Sequence, residues 1–121
     1  MSNQLGWIGV DLDGTLAKYD GFKGINHIGE PVSAMVDRVK WWLAQGKDVR
    51  IMTARVSQSV YRPTPEEVFR TTCAIQDWCM EHIGRRLKVT CIKDYEMIEL
   101  WDDRAVQVEP NTGRRMDGRH E

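Results

Sequence analysis

Apolar and polar positions fall in short blocks along the chain, each with its own period. Trp7–Asp11 (Trp-Ile-Gly-Val-Asp) is a largely apolar run closed by acid, the pattern of a strand buried on both faces. Val32, Met35, Val36, Val39, Trp42 and Leu43 recur at helical spacing, with Pro31 near the start and Gly46 as the stop. Residues 48–53 (Asp-Val-Arg-Ile-Met-Thr) read as a second strand, followed by a polar loop with Ser57, Ser59, Pro63 and Pro65. Thr64 is an N-cap with Pro65 at the first helical position and Glu67 completing a capping box. Val68, Thr72, Ile75, Cys79 and Ile83 mark the inner face of the helix that follows, and Gly84 closes it. Residues 87–92, 98–101 and 105–108 predict a third, fourth and fifth strand.

Strands alternating with helices predict an α/β domain with a parallel sheet covered by helices on both faces. The domain spans residues 1–109, and the Gly- and Arg-rich tail, 110–121, is expected to be partly mobile. Between the first strand and first helix, residues 14–31 carry Gly14, Gly21, Gly24 and Gly29 and read as a loop.

Composition narrows the class. The chain has 121 residues, enough for one core, with 17 Lys+Arg against 18 Asp+Glu and a formal net charge of −1. That balance supplies no global positive field, which excludes a histone-like or coat-type nucleic-acid binder while allowing a local basic groove. Cys73, Cys79 and Cys91 form no CxxC pair and are expected to be reduced, buried thiols. No basic n-region precedes the short apolar run from Leu5, and no stretch reaches the roughly 18 apolar residues of a membrane span. A cytoplasmic protein is expected.

In a parallel sheet, sites form at the carboxyl ends of strands, so the residues there carry the chemistry. The first strand ends in Asp11-Leu12-Asp13-Gly14-Thr15-Leu16, with Asp11 and Asp13 on one side and Leu12 in the core. An EF-hand loop is excluded, since Thr15 and Phe22 stand where its fifth and twelfth positions need oxygen ligands of another kind. The second strand ends in Thr53-Ala54-Arg55, a hydroxyl and a guanidinium suited to phosphoryl oxygens. The third ends near Lys93, and the fourth in Asp102-Asp103-Arg104. Each signal alone has a plain reading as capping residue or solvated surface. Together they bring four carboxylates to one sheet edge, which calls for a divalent cation, and all-oxygen ligands select Mg²⁺.

In this pattern the chain resembles the haloacid dehalogenase (HAD) superfamily of phosphohydrolases over residues 7 to about 108. Asp11-Leu12-Asp13-Gly14-Thr15-Leu16 matches the first motif, Thr53 the second, Lys93 the third and Asp102-Asp103 the fourth. The resemblance implies a Rossmann-like fold and a phosphatase working through an aspartyl-phosphate. Asp11 would be the nucleophile and Asp13 the acid and base, with Thr53 and Lys93 holding the phosphoryl group. Mg²⁺ would sit on Asp11, Asp13 (through its carbonyl), Asp102 and Asp103, and Thr53, Ala54 and Arg55 would bind substrate. A narrower similarity, to the 3′-phosphatase domain of polynucleotide kinases, rests on 11–18, 53–55 and 102–104. One feature departs from the family: residues 93–98 are too few for an ordinary parallel crossover, which leaves Lys88 as an alternative third-motif lysine.

No cap domain of the kind with which many members enclose small metabolites is expected within these 121 residues. An open site would suit a nucleotide, a nucleic-acid end or another bulky phosphate, and Lys18, Lys23, His27, Arg55, Arg62 and Arg104 offer a basic rim. Whichever of Trp41 and Trp42 does not face the core is available to another subunit, a second copy included. Two other classes compete. A response-regulator receiver places its acidic pair and phospho-acceptor in the opposite order, and a catalytically weak phosphate-binding or regulatory protein would show no turnover.

Overall fold

In the computed structural model, which describes residues 6–58 and 63–119, four strands form one parallel sheet. Strands β1 (Trp7–Asp11), β2 (Asp48–Met52), β3 (Val89–Thr90) and β4 (Met97–Trp101) lie in the order β3-β2-β1-β4. Helix α1 (Ser33–Ala44) joins β1 to β2, and α2 (Pro65–His82) joins β2 to β3. The architecture is α/β, as the alternation predicts. The readings that involve residues 1–5, Ser59 and Arg62 lie outside the described residues. Among the described residues no helix is long and apolar enough to cross a membrane.

The capping box forms at α2. The Thr64 hydroxyl accepts the Glu67 N–H at 3.2 Å, and the Glu67 carboxylate accepts the Thr64 N–H at 2.9 Å. Two donors at the helix start are thereby satisfied, and Pro65 needs no partner for its nitrogen. The buried face of α2 is rotated from the expected one: Thr71, Ile75, Trp78 and Cys79 are buried, while Val68 and Thr72 are half-buried. Thr71 and Trp78 face the long loop after β1, which the helical pattern alone does not show.

Both helices occupy one face of the sheet. The chain steps from β1 to β2 to β3 in one direction, and right-handed crossovers then put α1 and α2 on the same side. Ile8, Val10, Leu12, Val49 and Ile51 point there and pack with Met35, Val36 and Val39 of α1 and Ile75 and Cys79 of α2. Trp42 joins this core, edge-on to Trp101 at 5.1 Å, and Trp41 is the exposed one.

The opposite face carries no helix among the described residues, which corrects the expectation of helices on both sides. Residues 91–96 cross it instead, from β3 at one edge to β4 at the other. Three inter-strand spacings amount to about 14 Å, and six extended residues reach about 20 Å. Thr90 lies at the level of Asp11 and Met97 at that of Trp7, so the stretch also returns about 13 Å along the strands, and a diagonal of about 19 Å is within its extended reach without a crossover helix. Trp7 seals this face: its indole N–H donates to Asp94 at 2.8 Å, its backbone N–H to the Glu96 carbonyl at 3.0 Å. The Arg50 guanidinium lies 4.7 Å over its ring. The third strand is thus far shorter than 87–92. The expected fifth strand reduces to one bridge, Val108 to Arg115, because the chain turns back on itself at residues 109–114 rather than joining the sheet. Of the three free cysteines only Cys79 is buried, and burial pushes its thiol up to about 11; Cys73 is half-buried and Cys91 exposed. Cys91 begins the stretch that leaves β3, so no packed layer covers it.

Candidate active site

The carboxyl ends of β1, β2 and β4 converge on a cavity of about 660 Å³. Parallel pairing in register sets this: β1 pairs with β2 up to Asp11–Met52, and with β4 up to Val10–Trp101. Chain leaving the three strands therefore emerges at one level, bringing Asp11, Thr53, Asp102 and Asp103 to the cavity wall.

Asp11, Asp102 and Asp103 form the floor. Each offers a carboxylate oxygen, and these atoms lie within 4.8 Å of one another. The Asp11 carboxyl is raised to about 7, first by burial, then by the charge of Asp102, the hydrogen bond with Asp103 and the charges of Asp103 and Asp13. Three clustered hard oxygen donors fit a divalent cation, and Asp11, Asp102 and Asp103 are the residues that would hold it.

The turn after β1 is shaped to admit Asp103. Gly14 has a φ of +93°, and a Cβ there would stand 2.5 Å from an Asp103 carboxylate oxygen. Thr15, one residue on, binds the same acid twice: its hydroxyl donates to Oδ1 and accepts the Asp103 N–H, both at 3.0 Å. Leu12 and Leu16 are wholly buried on the other side of the turn and pin it to the core. Asp102 accepts the Arg104 N–H at 2.8 Å, which turns the chain after β4 back along the rim.

Asp13 occupies different surroundings. Its two oxygens accept from Arg55 Nε and Nη2, each at 2.8 Å, and the remaining guanidinium nitrogen donates to the Ile25 carbonyl at 2.8 Å. Asp13 is therefore not part of the three-carboxylate cluster. Thr53 is buried, and its oxygen accepts the Arg55 N–H at 3.1 Å, leaving the hydroxyl proton free to donate into the cavity.

The positive groups differ from the expected set. Arg55 and Arg104 line the cavity with Ala54, whereas Lys93 and Lys88 are exposed and are not among its lining residues. Lys93 stands on the crossing stretch and Lys88 ahead of β3. Lys18, Lys23 and His27 are exposed on the loop after β1, with Lys23 paired to Asp20 at 3.1 Å.

A wall from that same loop completes the cavity: Tyr19, Phe22 and Ile25 line it. The loop stem is closed by the Lys18 N–H to the Glu30 carbonyl and the Val32 N–H to the Leu16 carbonyl, both at 2.8 Å. Gly29 lies against the Lys18 carbonyl, where a Cβ would approach to 2.0 Å. Thr71 donates to Asn26 at 3.2 Å and Trp78 to the Gly29 carbonyl at 3.1 Å. Tyr19, Phe22 and Ile25 are site residues that sequence reasoning did not single out. The available signal was two aromatic residues in a glycine-rich stretch with no period that would bury them.

No protein-family model matches the chain, and no curated protein matches it. Among solved structures, it is similar to a conserved protein coded by a locus of Bacteroides thetaiotaomicron, with a TM-score of 0.54 and 17% identity. The match covers 84% of this chain and 78% of that one. At that identity the two chains share a fold.

Proposed function

We propose that the chain is a Mg²⁺-dependent phosphohydrolase of the HAD type, acting through an aspartyl-phosphate at Asp11. The observation that carries this reading is the division of the acids: Asp11 joins Asp102 and Asp103 in one cluster, while Asp13 is held apart by Arg55. When bound, Mg²⁺ would neutralise the cluster and the oxygens of a transferring phosphoryl group.

Asp11 attacks phosphorus through a carboxylate oxygen, and the bond from phosphorus to the ester oxygen breaks. Asp13 supplies a proton to the departing oxygen, then takes one from the water that attacks the aspartyl-phosphate, and inorganic phosphate leaves. Both Asp13 oxygens accept from Arg55, which fixes the position of the carboxylate. To act as the acid it takes a proton on one oxygen and yields one Arg55 bond. The Thr53 hydroxyl donates to a phosphoryl oxygen, and Arg104 supplies positive charge at the rim.

Release of phosphate from p-nitrophenyl phosphate with and without Mg²⁺ tests the reading. Turnover abolished by EDTA and by Asp11→Asn supports it. Binding of phosphate analogues without any turnover would favour a phosphate-binding or regulatory role.

A further inference from the structure

We infer that the cavity takes a terminal phosphomonoester carried by a nucleoside, with the base stacked on the wall formed by Tyr19 and Phe22. This rests on the phosphohydrolase reading of the floor. Phe22 is 77% exposed and Tyr19 47% exposed, yet both line the cavity above the carboxylates. Neither ring meets another ring among the described residues. Exposed rings of this kind add nothing to the core, and each leaves an aromatic face open.

The wall is held in place rather than left to sweep. Arg55 grips the Ile25 carbonyl, Thr71 grips Asn26, Trp78 grips Gly29, and the Lys23–Asp20 ion pair braces the stretch between the two rings. A preset aromatic surface costs little ordering when a flat ligand lands on it. The cavity, about 660 Å³, is in the range of sites that hold ligands far larger than a phosphoryl group or a triose.

A ligand that fits has a phosphoryl group at one end and a flat ring at the other. Phosphotyrosine and nucleoside phosphates both meet that description, and the proposed acid separates them. An aryl oxygen leaves readily without a proton, whereas the alkoxide of a ribose needs one, which Asp13 in its proposed role as the acid would supply. A ring directly on the ester oxygen would also sit at the floor, leaving the outer rings unused. A nucleoside places its base one sugar away. Stacking on aromatic side chains tolerates any base, so recognition by class rather than by base identity is expected.

The experiment compares thymidine monophosphates, a short oligonucleotide ending in a phosphate, glycerol phosphate and a phosphotyrosine peptide. Each is measured for kcat/KM with wild-type protein and for calorimetric binding to Asp11→Asn protein with Mg²⁺. The thymidine compounds or the oligonucleotide should exceed glycerol phosphate by about tenfold in both measurements. The Tyr19→Ala/Phe22→Ala double variant should lose that ratio, with thermal unfolding confirming that it folds. Preference for the oligonucleotide over the mononucleotide would assign a strand end as the source of the phosphate. Equal handling of glycerol phosphate, preference for the phosphotyrosine peptide, or a ratio unmoved in the double variant would overturn the inference. Binding without turnover would remove the hydrolase reading and leave the nucleoside site standing, so the two fail separately.

Discussion

The floor and the wall of the cavity are built on different principles. Asp11, Asp102 and Asp103 stand where strands end, so sheet register and the buried leucines on either side of Gly14 place them. Tyr19 and Phe22 stand on a loop tied down by side chains from remote parts of the chain: Arg55, Thr71 and Trp78. The floor inherits the stiffness of the sheet, whereas the wall depends on a few hydrogen bonds worth about 1 kcal/mol each. A site made this way can keep its chemistry while its specificity changes.

The sharpest break of the floor is Gly14→Ala. A methyl group at a φ of +93° and 2.5 Å from the Asp103 carboxylate forces the turn or the acid to move. Strained positions cost about 1–3 kcal/mol, so thermal unfolding should come roughly 4–10 °C earlier. If the floor holds Mg²⁺ as proposed, stabilisation by the ion should vanish with it, and an unchanged midpoint would show a compliant floor.

Arg55→Ala should loosen the wall while leaving the floor in place. It removes both bonds to Asp13 and the bond to Ile25, a loss of about 1–2 kcal/mol. Hydrogen exchange should speed up over residues 18–30 while stabilisation by Mg²⁺ persists. Loss of the metal effect as well would merge the two regions into one.

A smaller effect concerns charge within the floor. Asp11 is raised from 3.8 to about 7, so between those values the folded chain binds more protons than the unfolded one. In EDTA its contribution to stability is greatest at low pH and falls as pH rises through that window. Asp11 is half-exposed, which reduces the effect to about 1 kcal/mol after solvent screening. Asp11→Asn should flatten the pH dependence between about 4 and 7, as read from urea unfolding. A slope unchanged by the substitution would place the raised charge elsewhere.

The most local change expected is for Trp78→Phe, which keeps a ring in the core but loses the bond to the Gly29 carbonyl and part of a buried indole packed against His82. A cost of about 1–2 kcal/mol and faster exchange confined to the loop are expected from denaturant and exchange measurements. A larger loss would mean that Trp78 supports the core more than the wall.

Much of the frame could be read from the residues. Trp7–Asp11 is a strand with the predicted bounds, and the Thr64-Pro65-Glu67 signature starts α2 where it should. These succeed because strand period, capping and proline geometry act over a few neighbouring residues. The acids of the floor were legible too, since Asp11 ends β1 and Asp102 and Asp103 come just after β4. Lys93 illustrates the opposite case. Its position after β3 was readable, but its exposure on a stretch crossing the open face was not, because that path depends on β3 and β4 lying at opposite edges of the sheet. Likewise, Thr71 and Trp78 are buried because a loop from earlier in the chain lies over α2, which no helical period can encode.

The sequence by itself determined the strand–helix order, the turn at Gly14 and the acids that end the strands, since each follows from local backbone preference and burial. Only the tertiary structure decided that both helices share one face, that Arg55 separates Asp13 from Asp11, and that Tyr19 and Phe22 form a wall. Those outcomes join residues that are 30 or 42 positions apart, as in the bonds of Arg55 to Ile25 and Asp13. Contacts at such separation arise only when the whole chain closes, because loop closure must bring the ends together before any hydrogen bond can reward it.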